Sequence, residues 1–202
     1  MKSMYIHIPF CKSICTYCDF CKQLYNETNI NKYLDALNEE IKDRYNGEEL
    51  DTLYIGGGTP SSLNIMQLNK LFNILKKLKI NNIKEYTFEC NVNDITEELI
   101  DLLIKNKVNR ISLGVESFNK EKLKFMERFS DYNDVKNKID MIRNKGLYNI
   151  NVDLMYAIPN ETLKDLKEDL NLILKLKPTH ISTYSLILEE YTKLSINNVK
   201  PI

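Results

Sequence analysis

Short runs of β-branched and apolar residues alternate along this chain with longer stretches whose apolar positions recur every three to four residues. The first pattern suits a strand and the second an amphipathic helix, so their alternation predicts βαβ units around a parallel sheet. Strands are expected at Met4 to Ile8, Thr52 to Ile55, Glu85 to Cys90, Arg110 to Gly114, Ile150 to Met155 and His180 to Leu186. The clearest helical faces are Tyr33, Leu34, Leu37 and Ile41, then Leu68, Leu71, Ile74 and Leu75, and last Leu163, Leu166, Leu170, Ile173 and Leu174. Six βα repeats fall short of the eight of a closed barrel. The expected fold class is therefore α/β, an open, partial TIM-like (β/α)6 barrel with its ligand site beyond the carboxyl ends of the strands.

At 202 residues and 43% hydrophobic, the chain can bury one substantial core, and a single domain over 1–202 is expected. Its 28 basic and 28 acidic residues cancel, which argues against nucleic acid and points to small molecules or proteins as partners. Neither a charged-then-apolar leader nor an apolar run of roughly 18 residues is present, so a cytoplasmic protein is expected. Five cysteines is an odd count, and four lie between Cys11 and Cys21 at a spacing that suits a metal in a reducing compartment better than disulfides. Cys90 fits a buried core position. His7 and His180 are too few for a histidine-based metal site, and His180 reads as structural.

The segment YIHIPFCKSICTYC places Cys11, Cys15 and Cys18 in a C-x3-C-x2-C pattern directly after the first strand. Three thiolates can hold an iron-sulfur cubane while leaving its fourth iron open to a small molecule. The spacing by itself admits two rivals. One is zinc, because Cys15, Cys18 and Cys21 form overlapping C-x2-C pairs, though such sites normally draw a second pair from a distant segment. The other is a ferredoxin-like cluster with Cys21 as fourth ligand, which would only carry electrons. Gly56, Gly57 and Gly58 follow the second strand and suit either close backbone approach to a ligand or a tight turn before Pro60. No Lys-Ser or Lys-Thr pair follows them, which excludes a phosphate P-loop. Glu89, between Phe88 and Cys90, is expected to face the ligand end. Asp153 lies inside the apolar strand VDLMYAI, where a carboxylate is costly unless something pairs with it.

The opening YIHIPFCKSICTYCDF resembles that of radical S-adenosylmethionine proteins in the group of HemW and oxygen-independent coproporphyrinogen III oxidase. The similarity continues through GGGTP (Gly56 to Pro60), FECN (Phe88 to Asn91), RISLGVESFN (Arg110 to Asn119), NINVDLMYAIP (Asn149 to Pro159) and HISTYSLILEE (His180 to Glu190). It implies a radical SAM core in which Cys11, Cys15 and Cys18 hold a [4Fe-4S] cluster whose open iron chelates the amino and carboxyl groups of S-adenosylmethionine. It further implies that the glycine stretch, with Gly57, Gly58 and Thr59, meets the methionine amino group, that Glu89 contacts the cofactor and that Asp153 contacts its adenosyl part. Tyr5 and Tyr17 resemble aromatic positions that pack on the cofactors. Glu116, Arg128 and Ser185 complete the implied set, with Glu116 and Arg128 expected to pair with each other or with ligand carboxylates.

Within that group the oxidases carry a long N-terminal extension and a C-x-C spacing after the third cluster cysteine, whereas here Tyr5 is nearly the first residue and Asp19 and Phe20 precede Cys21. The resemblance therefore implies the HemW-like branch first, meaning heme binding and delivery with heme or porphyrin as ligand. An electron donor protein and membrane-bound heme acceptors are the implied partners. Coproporphyrinogen oxidase activity is the second reading and a ferredoxin-like electron-transfer module the third. Members of the group continue past the sixth strand into another domain, so the chain is expected to be a C-terminally truncated core.

Overall fold

The computed structural model describes residues 1–190, 192–197 and 199. The chain runs from β1 (Ser3–Ile8) through two short strands, β2 (Phe10–Cys11) and β3 (Gln23–Leu24), into α1 (Glu27–Arg44). It continues as β4 (Thr52–Gly57), α2 (Ile65–Leu75), β5 (Glu85–Asn91), α3 (Glu97–Lys105) and β6 (Arg110–Glu116). After α4 (Lys120–Phe125) and α5 (Tyr132–Asn144) come β7 (Ile150–Tyr156), α6 (Leu163–Leu176), β8 (His180–Ser185) and α7 (Lys193–Ile196). Strands β1, β4, β5, β6, β7 and β8 form one sheet in that order, every neighbouring pair parallel. The order never reverses, which separates this fold from doubly wound sheets, and among the described residues β1 and β8 are its edges. A partial (β/α)6 barrel is the result, as its six repeats predict.

The two faces of the sheet differ sharply. Side chains alternate along a strand, and Ile6, Leu53, Phe88, Leu113 and Val152 point outward into one continuous core shared with the helices, where all are buried. Their neighbours on the inner face are polar: Tyr5, Tyr54, Glu89, Ser112 and Asp153. One apolar face suffices to anchor the helices, which frees the other to build a site.

Side-chain caps start the helices at the required places. Asn64, Asp131 and Thr162 each accept from the backbone N–H three residues on, while Gln67, Asp134 and Asp165 return the bond to the cap residue. The last of the expected apolar faces needs correction. Leu163 and Leu174 are 77% and 61% exposed, and α6 instead buries Asp169, Ile173 and Leu176 with Leu166 and Leu170 partly covered. The true stripe contains a carboxylate, so counting apolar positions rotates the face away from its real direction. Tyr33, on the edge of the α1 stripe, is likewise only partly buried. Strands β4 and β6 run two residues further than their apolar runs, to Gly57 and Glu116. Those extra residues belong to the site.

Candidate functional site

A cavity of about 380 Å³ opens at the carboxyl ends of the strands. The residues that the family resemblance implies as its site all line it: Cys11, Cys15 and Cys18; Tyr5 and Tyr17; Gly57, Gly58 and Thr59; Glu89, Glu116, Arg128, Asp153 and Ser185. Cys21 is exposed and is not part of the lining. Cys90 has the buried position expected of a core cysteine and also borders the cavity.

The cysteine loop is tied down along its length. Tyr25 N–H donates to the Cys11 carbonyl at 2.8 Å, and Gln23 N–H to that of Pro9 at 2.6 Å, which closes the loop at its base. Lys12 reaches the Asp94 carboxylate at 2.6 Å, and the Thr16 hydroxyl donates to the Phe125 carbonyl at 2.9 Å. Burial raises the Cys11 and Cys18 thiols above the ordinary range, so these groups need a cation beside them to ionise. Among the described residues no three His, Cys, Asp or Glu side chains converge closely enough to hold a single metal ion.

Glycine is required at Gly57 and Gly58 for different reasons. Gly57 has φ +121°, and a Cβ there would lie 2.8 Å from the His7 ring. A Cβ on Gly58 would stand 2.9 Å from Cys11 Sγ and 2.8 Å from the Pro9 carbonyl carbon. The glycine turn therefore lies directly on the cysteine loop, with Gly58 N–H donating to the Ile8 carbonyl and Thr59 N–H to that of Phe10, both at 2.9 Å. The Thr59 hydroxyl adds a contact to Cys11 Sγ at 3.4 Å. On its other side β4 stops pairing with β5 at Ile55 and Phe88. Glu89 fills the gap, accepting Gly57 N–H at 3.0 Å and the Tyr54 hydroxyl at 2.7 Å. Burial raises its carboxyl group, and these two donors pull it back.

Glu116 sits at a bulge where the β6–β7 register slips between Gly114 and Glu116, and its φ of +70° is unusual for a side-chain-bearing residue. Such a conformation costs on the order of 1–3 kcal/mol and persists because the surroundings hold it. Burial pushes its carboxyl group up to about 7 against the pull of Arg128. The expected pairing is a 4.0 Å approach, and Arg128 places its hydrogen bonds elsewhere, on the Gly114 carbonyl and at 3.8 Å on Cys15 Sγ. Gly114 leaves room for it, because a Cβ there would meet Arg128 Nη2 at 3.1 Å.

Asp153 has the pairing that its buried position demands. Asn151 Nδ2 donates to Oδ1 at 2.7 Å and the Ser112 hydroxyl approaches Oδ2 at 3.3 Å. Burial raises the carboxyl group while Asn151, Ser182 and Ser112 lower it. Tyr5 is 56% exposed, which assigns it to the rim and not to the core, with its ring 5.8 Å from that of Tyr54. Tyr17 packs beside Met126, Met155 and Ile158. Ser185 ends β8 at the cavity mouth. Sequence reasoning missed Tyr54, Ser112, Asn151 and Tyr184, all on the inner face. The signal was available, since each lies two residues from another inward position in its strand or in register with one.

The profile of the Radical SAM superfamily matches residues 5–173. The chain belongs to the radical SAM superfamily. Among radical SAM relatives, "Heme chaperone HemW" of Lactococcus lactis is 42% identical over 94% of this chain and 50% of that protein. The protein of the same name from Bacillus subtilis is 39% identical over 95% of this chain and 52% of its own length. The solved structure of coproporphyrinogen III oxidase (HemN) from Escherichia coli, a radical SAM enzyme, superposes with a TM-score of 0.84 at 30% identity, covering 92% of this chain and 44% of that one. The chain spans about half the length of the curated relatives it matches.

Proposed function

We propose that this chain is the cofactor-binding core of a HemW-like radical SAM protein, with Cys11, Cys15 and Cys18 holding a [4Fe-4S] cluster beside a bound S-adenosylmethionine. The observation that carries the reading is the gathering of three thiols, the Glu89–Gly57 pair and Asp153 around one cavity at the strand ends. When bound, the cluster supplies one electron for cleavage of a carbon–sulfur bond of S-adenosylmethionine. The protein binds, orients and excludes water.

Its own groups divide that work. The cysteines ionise on binding iron, which offsets the burial that otherwise keeps Cys11 and Cys18 protonated. Arg128, next to Cys15 Sγ, adds positive charge on one side of the cluster and favours electron uptake. The N–H groups of Gly57 and Gly58 already have protein acceptors, so the turn has carbonyl oxygens to offer, and these suit the ammonium of a methionine moiety. Glu89 adds a carboxylate at the same place. Asp153 accepts the ribose hydroxyls, and Tyr5 and Tyr17 lie against the ligand from either side of the loop.

Heme binding and delivery is the physiological reading, supported by 42% and 39% identity to HemW proteins against 30% to the oxidase. Phe20, Tyr184 and Ile187 are exposed at the cavity mouth and offer an apolar rim to a planar macrocycle. An electron donor protein and membrane-bound heme acceptors are its proposed partners, in the cytoplasm. No helix among the described residues is long and apolar enough to cross a membrane.

Anaerobic reconstitution followed by product analysis tests the core reading, with 5′-deoxyadenosine as the expected product. On protein spanning the relatives' full length, heme is expected to bind and coproporphyrinogen III to remain unconverted when S-adenosylmethionine and a reductant are supplied. Turnover of coproporphyrinogen III would promote the oxidase reading. Asp153→Asn is expected to weaken S-adenosylmethionine binding by roughly tenfold, the scale of one charge-assisted hydrogen bond, with iron content unchanged. Equilibrium dialysis on reconstituted protein measures it, and unchanged affinity would return Asp153 to a structural role.

A further inference from the structure

Below Asp153 the inner face carries a polar chain that the cofactor reading does not use. Asn151 is buried, one in-facing position before Asp153 on β7. Its Nδ2 donates to Asp153 Oδ1 at 2.7 Å and to Ser112 Oγ at 2.8 Å. Its Oδ1 receives Ser182 Oγ at 3.0 Å and His180 Nδ1 at 2.5 Å. Only one amide orientation is consistent with this set, because a carboxylate only accepts and the Asn151 nitrogen must face it. His180 must then carry its proton on Nδ1, since the amide oxygen it meets has none to give. Ser112 closes a triangle, accepting from Asn151 and giving its single proton to Asp153.

A carboxylate has about four lone-pair directions. Asn151 takes one on Asp153 Oδ1 and Ser112 one on Oδ2, while the nearby Ser182 hydroxyl is directed to Asn151 Oδ1. Asp153 itself lines the cavity, so each of its oxygens keeps acceptor capacity there, which two neighbouring hydroxyl donors could use.

We infer that Asn151, oriented by His180, is a positioning residue that sets the Asp153 carboxylate to receive both hydroxyls of a ribose. His180, read from the sequence as plainly structural, is the outer end of that arm. The inference rests on the reading of Asp153 as the ribose contact. It makes Asn151 a determinant of which nucleoside the cavity prefers, acting through Asp153 without touching the ligand.

Equilibrium dialysis of reconstituted protein against 5′-deoxyadenosine and 2′,5′-dideoxyadenosine, with methionine present, tests it. The unaltered protein is expected to favour the first by roughly tenfold or more, because a site built for a hydroxyl rejects the analogue lacking it. Asn151→Leu is expected to reduce that preference to less than about threefold, since the lost donor leaves the carboxylate free to turn. His180→Leu, on the exposed edge strand, should reduce it partially, and His180→Gln, which can still donate to the amide oxygen, should restore it. Methionine binding measured alone should not change in any variant. A general loosening of the fold would weaken both nucleosides equally and leave their ratio intact, which overturns the inference. If Asp153→Asn removes the preference but the Asn151 and His180 variants keep it, the inference also fails while the Asp153 reading stands. If Asp153→Asn itself keeps the preference, the reading beneath it fails. Should Asn151→Leu not fold, the His180→Leu and His180→Gln pair decides.

Discussion

Anaerobically reconstituted protein carrying Cys11→Ala, Cys15→Ala or Cys18→Ala is expected to hold no cluster, whereas the unaltered chain and Cys21→Ala bind about four iron atoms each, the content of one cubane. A cubane already leaves one iron without a protein ligand when three thiolates hold it, so losing a further thiolate removes a third of its anchorage. Cys21 differs from the other three in position. Its side chain is exposed outside the cavity, and the residue is held through its backbone, whose carbonyl accepts from His7 Nε2 at 2.7 Å. Iron and sulfide analysis with the visible absorption spectrum measures the outcome. Loss of the cluster on Cys21→Ala alone would favour a four-ligand, ferredoxin-like electron carrier.

Lys122→Met is expected to destabilise the fold by about 3–5 kcal/mol, the scale of breaking a buried ion pair by removing one partner. The ammonium is buried between two carboxylates, Asp169 at 2.6 Å and Glu161 closer still. Asp169 also accepts the Ser117 hydroxyl and Phe118 N–H, both at 2.7 Å, so the network joins the β6–α4 turn to α6. Glu161 ties in the β7–α6 loop through Ile158 N–H at 3.2 Å. For a domain of this size the loss corresponds to a melting point lower by roughly 10 °C, measurable by thermal or urea unfolding. Lys122→Met combined with Asp169→Asn should recover part of the loss, because one of the two stranded charges is then gone. A further consequence reaches the site. Lys122 lies in α4, whose end leads to Arg128, so the single variant should also loosen the Arg128 contact with Cys15.

Much of this molecule was legible before any coordinates. The alternation of strand-like and helix-like patterns specified a parallel sheet of six strands, because burial on the helix-facing side imposes apolar residues at every second strand position. The cysteine run and glycine triplet stood out as candidate ligand-binding segments, though spacing alone left zinc, a ferredoxin-like cluster and a plain tight turn as rivals. Asp153 was visible as a carboxylate inside an apolar strand, where burial without a partner is too costly to persist.

Tertiary structure alone decided the rest, for a common physical reason: the deciding contacts join residues far apart in the chain, and no local pattern encodes distance. The partner of Asp153 in its own strand, Asn151, was in plain view, but its anchors Ser112 and His180 stand 39 and 29 residues away. Lys122, Glu161 and Asp169 are separated by 39 and 47 residues from lysine to carboxylate and meet only in the folded chain, where Asp169 takes the buried place on α6 that Leu163 and Leu174 were expected to fill. Arg128 was expected to pair with Glu116 or with ligand carboxylates; it does approach Glu116 at 4.0 Å, and only the fold adds its contacts with the Gly114 carbonyl and Cys15 Sγ. Sequence by itself determined which chemical groups this protein brings to its cavity. Only the fold decided what each of them touches, since a hydrogen bond or ion pair depends on ångström-scale approach between strands whose order and register the whole sheet must set.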